Sequence, residues 1–150
     1  MRIGQAVADY RARSDLDESP CVPRIEWVEF AIMVATTPVA LYRKGRASAR
    51  LDNLRNEDVE IYTDLGHPEI GVRGSATVGV SCFDNVAALA GLRGRTWELP
   101  ANSDYDDTRL LLWRDHPDSD HWNWTPTRDM PGSDFIGALR DVNAKFAVVP

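Results

Sequence analysis

The chain has 150 residues, of which 43% are hydrophobic and 27% charged, the composition of a globular protein with enough chain for one core that needs neither metal nor disulfides. A net charge of −6 excludes a general nucleic-acid coat. The longest apolar run, residues 30–35, falls far short of the roughly twenty residues of a membrane span.

The N-terminus lacks the continuous apolar stretch of a cleaved signal peptide, so Sec-type export is not expected. Two cysteines, Cys21 and Cys82, are too few for a disulfide framework and point to a reducing cytosol. Residues 4–14 suit a short helix, followed by a polar break through Pro20 and Pro23. Residues 1–37 are expected to be a peripheral segment of a single domain spanning 1–150. Residues 24–30 alternate apolar with charged, but the apolar run continuing to Met33 also fits a helix. After Pro38, residues 39–43 read as a buried strand that ends on Arg43. The loop that follows holds Lys44, Arg46, Arg50 and Arg55 with one acid, Asp52. That is either a local anion site or an ordinary solvated loop. Residues 59–62 suit another strand, closed by a turn at 64–68.

Gly71, Gly74 and Gly79 match neither a phosphate-binding loop nor a dinucleotide fingerprint. In Gly79-Val80-Ser81-Cys82-Phe83-Asp84, Ser81 is placed to cap a helix. Phe83, Val86, Ala87, Leu89, Ala90 and Leu92 would form its apolar face, and Gly94 would stop it. A serine at a helix start either caps the helix or holds a phosphate or ribose. A short strand then carries Trp97, Glu98 and Leu99 to Pro100. Strands follow at 108–114 and 121–125, the second placing His121, Asn123 and Thr125 on one face and Trp122 and Trp124 on the other. A last helix, capped by Ser133, presents Phe135, Ile136, Leu139 and Val142, and residues 146–149 suit a final strand. The pattern reads as α+β, with split, mostly antiparallel sheets and flanking helices.

Residues 116–121 concentrate potential metal ligands but lack the spacing of a zinc or calcium motif, so an acidic hairpin loop is expected and no metal. Cys82 is either a small core residue or the thiol of a pair with His121. The five tryptophans suit a core, although an indole at a strand end can stack on a planar ring.

Taken in order, Leu41-Tyr42-Arg43, Gly79-Val80-Ser81-Cys82-Phe83-Asp84, Trp97-Glu98-Leu99-Pro100 and His121-Trp122-Asn123-Trp124-Thr125-Pro126 resemble the type VI secretion exported effector two family of toxins, over residues 38–146. Val80 stands where that family has threonine, which leaves Ser81 as the hydroxyl of the turn. The resemblance implies an ADP-ribosyltransferase-like fold and a toxin that uses NAD to modify a macromolecule in the cytoplasm of rival bacteria. It implies delivery by a type VI secretion system and a cognate immunity protein that occludes the cleft. Arg43 would meet phosphate, with Tyr42 and Ser81 also on the cofactor, and His121 would orient the reactive sugar beside Ser81. Glu98 is a candidate for the glutamate that related transferases carry, or else a solvent-exposed strand residue. Two other readings are a non-catalytic immunity or interaction protein with an acidic surface, and a ribonuclease-type toxin using His121 and the basic run.

Overall fold

Period-two burial runs through the middle of the chain, Val80 and Cys82 being buried while Ser81 and Phe83 are half-buried, the mark of a strand packed on one face. The computed structural model describes residues 34–63, 70–74 and 77–150. The helix expected at 4–14, the element at 24–30, Cys21 and the turn at 64–68 lie outside them.

Among the described residues, eleven strands pair into three sheets, every ladder antiparallel. β1 (Val34–Thr36) pairs with β7 (Asp104–Asp106). β10 (Met130–Pro131), β4 (Ile70–Val72) and β3 (Ile61–Thr63) form a second sheet in that order. The main sheet has the order β11-β6-β2-β5-β9-β8, built from β2 (Leu41–Gly45), β5 (Val80–Phe83), β6 (Arg95–Leu99), β8 (Leu110–Arg114), β9 (His121–Pro126) and β11 (Ala147–Val148). Residues Val34–Pro150 make one compact unit. Within it, Val34–Thr36 is paired and Thr37 is fully buried, its hydroxyl donating to the Pro100 carbonyl. These last residues of the segment expected to be peripheral are therefore part of the fold.

One α-helix, α1 (Gly132–Asn143), lies among the described residues. Phe135, Ala138, Leu139 and Val142 fall at helical spacing and are buried, facing a core that includes Leu41, Val80, Cys82, Leu99, Leu110 and Trp124. Full burial of each large side chain stabilises by about 1.5–3 kcal/mol. The helix begins with Pro131 rather than Ser133 at its cap. Its last residue, Asn143, accepts the Leu51 backbone N–H through its side chain at 2.9 Å, which ties the basic loop to the helix end. No helix among the described residues is long and apolar enough to cross a membrane.

The helix expected from Ser81 does not form. Ser81, Cys82 and Phe83 complete β5, Asp84 is held by Trp122 and Arg114, and Asn85 caps a single 3-10 turn at Val86–Leu89 by accepting the Ala87 N–H. Only Leu89 of that turn is buried, whereas Val86 and Leu92 are exposed. A longer helix would have no core to face. Gly91 then turns the chain with a φ of 87°, a conformation that glycine adopts without steric cost.

Candidate functional site

Strand register decides which side chains meet. Glu98 on β6 opposes Tyr42 on β2, Tyr42 opposes Phe83 on β5, and Phe83 opposes His121 on β9. These four form one row across one face of the sheet. Ser81 and Asn123 are opposed two residues farther along the same face, and Asn123 opposes Trp113 on β8. Cys82 and Trp122 are opposed on the other face. The alternation expected for β9 thus puts His121 and Asn123 beside Ser81 and leaves Trp122 and Trp124 to the core.

On this polar face His121 Nε2 lies 2.7 Å from Ser81 Oγ. The other ring nitrogen, Nδ1, bonds Asp115 Oδ2, and Asn123 Nδ2 donates to Asp115 Oδ1 at 2.5 Å. The hydrogen bond from His121, followed by that from Asn123, holds the Asp115 carboxyl below the usual carboxylate range against the opposing effect of burial. An ionised carboxylate only accepts, so Nδ1 carries the proton, and in the neutral ring Nε2 is left as the acceptor of the Ser81 Oγ–H. The Ser119 hydroxyl accepts the His121 backbone N–H at 3.0 Å, and the Phe83 ring sits 5.1 Å from the imidazole centroid. His121 is 29% exposed and Asp115 36%, so the chain of bonds reaches the surface.

Asp115 is the residue that sequence reasoning missed. It sits opposite His121 because the β8–β9 register pairs Arg114 with Trp122 and the Asp115 N–H donates to the His121 carbonyl. The signal was available: residues that flank a hairpin loop at 116–120 face each other across it.

Beside Ser81, β2 and β5 share one registered pair, Tyr42 with Phe83, and then part. A cleft of about 320 Å³ opens there, with Phe83, Leu89 and Leu92 as its apolar wall and Lys44, Arg50 and Arg55 as its cations. Arg43, Asn53 and Ser81 complete its lining. The ion pairs of the cleft cations among the described residues are those of Arg55 with Glu57 and Asp58, so Lys44, whose Nζ donates to Gly94 O at 3.4 Å, and Arg50 are not neutralised by an acid there. Arg50 has a φ of 58°. The left-handed region costs a non-glycine residue about 1–2 kcal/mol and gathers at ligand sites.

Arg43 is placed otherwise than expected. Two residues from buried Leu41, it leaves β2 on the core face, where its charge lies close enough to act on Cys82, whereas His121 is on the polar face. Its guanidinium bridges the gap between the strands, donating from Nε to Ala49 O at 2.8 Å, from Nη1 to Ser81 O, and from Nη2 to Arg50 O at 3.3 Å. It borders the same cleft as Ser81, but three of its five N–H groups are committed to backbone carbonyls.

Tyr42 donates its hydroxyl to Glu98 Oε2 at 2.9 Å, and that bond raises the Tyr42 pKa. Glu98 and His121 are three strands apart in their row, roughly 14 Å at about 4.8 Å per strand. Neither Tyr42 nor Glu98 lines the cleft. Cys82 is fully buried and unpaired by a disulfide, and burial pushes its thiol pKa up. It opposes Trp122 and faces away from His121, as expected of a core residue. Residues 116–120 form the loop between β8 and β9, and among the described residues no group of three or more His, Cys, Asp or Glu stands together to hold a metal. A scan against models of known protein families finds no match, and a search of curated proteins finds none either.

Proposed function

We propose that this protein is an ADP-ribosyltransferase-type toxin that acts in the bacterial cytoplasm and uses NAD as the ADP-ribosyl donor. The observation that carries this reading is the bond between His121 and Ser81 at the edge of a cleft bearing Lys44 and Arg50. A dianionic pyrophosphate needs fixed positive charge. Lys44 and Arg50 fit that need, Arg43 adds its remaining N–H groups, and Ser81 offers a hydroxyl to the ribose. Phe83, Leu89 and Leu92 would form the apolar side of the cleft against the bound cofactor. NAD supplies the ADP-ribosyl group and the nicotinamide that leaves. Glu98 keeps a place as the acid only by its position in the His121 row. The same cleft is the surface that an immunity protein would cover, its acidic groups steered by Lys44 and Arg50.

Expression without a protective partner should arrest growth, and the purified protein should release nicotinamide from NAD. A ribonuclease reading has one observation in its favour, the imidazole backed by a carboxylate next to cations, which suits removal of a proton from a ribose hydroxyl. RNA cleavage without nicotinamide release would select it. Unimpaired growth with neither activity would select the immunity or interaction reading.

A further inference from the structure

We infer that Ser81 is an activated nucleophile, and that the cleft beside it takes a carboxylic ester bearing an anionic group. The inference rests on the hydroxyl–imidazole–carboxylate chain itself and not on the transferase reading. Ser81 Oγ, His121 Nε2 and Nδ1, and Asp115 Oδ2 are linked in sequence, with Asn123 holding the other carboxylate oxygen. This order of groups turns a serine hydroxyl into a nucleophile on unrelated folds, because the carboxylate fixes the ring tautomer and stabilises the imidazolium that forms. Ser81 on β5 and His121 and Asn123 on β9 share one face of two adjacent strands, and Asp115 joins them from the turn between β8 and β9. A hydroxyl serving only to hold the sheet together would need no base behind it.

In the step proposed, Oγ bonds to the ester carbonyl carbon as its proton passes to Nε2. The tetrahedral adduct then expels the alcohol, which takes the proton from Nε2, leaving an acyl group on Ser81. Water attacks the acyl carbon by the same route, its proton passing through Nε2 to the departing Oγ, and releases the acid. Lys44 and Arg50 would hold the anionic group, and the Phe83, Leu89 and Leu92 wall would hold the apolar part.

The test uses the full chain with a fluorophosphonate probe, followed by intact mass and peptide mapping, and with nitrophenyl esters of succinate (anionic) and acetate (neutral). A single adduct on Ser81 is expected, absent in Ser81→Ala and about 100-fold slower in His121→Ala. Asp115→Asn, nearly identical in shape, should slow labelling at least about 10-fold while the melting temperature holds. The anionic ester should be preferred at least about 10-fold, and that preference should fall with salt and in Lys44→Ala. Folded wild-type protein that takes no label, takes it elsewhere, or is labelled as fast when His121→Ala is folded, overturns the inference. Nicotinamide release from NAD is measured in parallel: release without labelling overturns the nucleophile and leaves the transferase, and labelling without release does the reverse.

Discussion

Replacing Arg43 with alanine separates two jobs that the sequence alone merges. If the guanidinium is chiefly a brace between β2 and β5, the variant loses its bonds to Ala49 O and Ser81 O together with the longer, exposed one to Arg50 O. Hydrogen bonds from a charged donor are worth about 1.5–3 kcal/mol each, and the exposed one contributes little, so a discounted total of about 3 kcal/mol is expected. That corresponds to roughly 6–12 °C in melting temperature for a chain of this size. Arg43→Lys should recover less than half of the loss, because a single ammonium cannot reproduce the planar fork. The assay is a thermal melt of wild type and both variants, paired with calorimetric titration of ADP or pyrophosphate. A folded Arg43→Ala that melts within about 1 °C of wild type while losing anion affinity would refute the brace and return the side chain to the phosphate.

Asp84 accepts from Arg114 Nη2 at 2.8 Å and Trp122 Nε1 at 3.0 Å, and although burial pushes its pKa up, these bonds and the Arg114 charge leave it below the ordinary range. Its contribution is therefore present above the ordinary carboxylate range and lost as the pH falls through the folded value. Asp84→Asn should cost about 1–2 kcal/mol at neutral pH, and its melting curve should converge with that of wild type on acidification. Parallel melting curves at every pH would contradict this. For Tyr42, the bond to Glu98 predicts a phenol that ionises later than an ordinary tyrosine, and Glu98→Gln should move it back toward that range in an ultraviolet pH titration. An unmoved titration would show that the carboxylate does not act on the phenol.

Strands β2, β3, β6, β8, β9 and β11 and the face split of β9 are legible because alternation and apolar runs survive single-sequence reading, with His121 and Asn123 beside Ser81 and Trp124 wholly buried, whereas the short β1, β4, β7 and β10 carry too little pattern to be read. The core role of Cys82, the 116–120 loop and the buried face of α1 follow from the same kind of local pattern. The run from Ser81 to Leu92 was misread because its apolar residues satisfy helical spacing while Val80 to Phe83 also satisfy period two. Only burial shows which period applies, with Val86 and Leu92 left in solvent. Arg43 borders the cleft with Ser81, as the sequence reading has it, but its route there is not legible in the sequence. Parity with Leu41 puts the side chain on the core face, and its guanidinium reaches the cleft through the gap between β2 and β5. Asp115 is not legible as a partner of His121, since that partner is chosen by hairpin register and not by sequence spacing.

Five registered pairs join β2 to β6, five join β8 to β9 and four join β5 to β9, yet one joins β2 to β5. Mechanically, the main sheet is thus two leaves on a single rivet. Where β2–β6, β5–β9 and β8–β9 are held by four or five rungs, this junction has one, supplemented by the Arg43 guanidinium. The two sides of that junction carry Ser81 on β5 and Lys44 on β2, so the width of the cleft is set where the sheet has its fewest registered pairs.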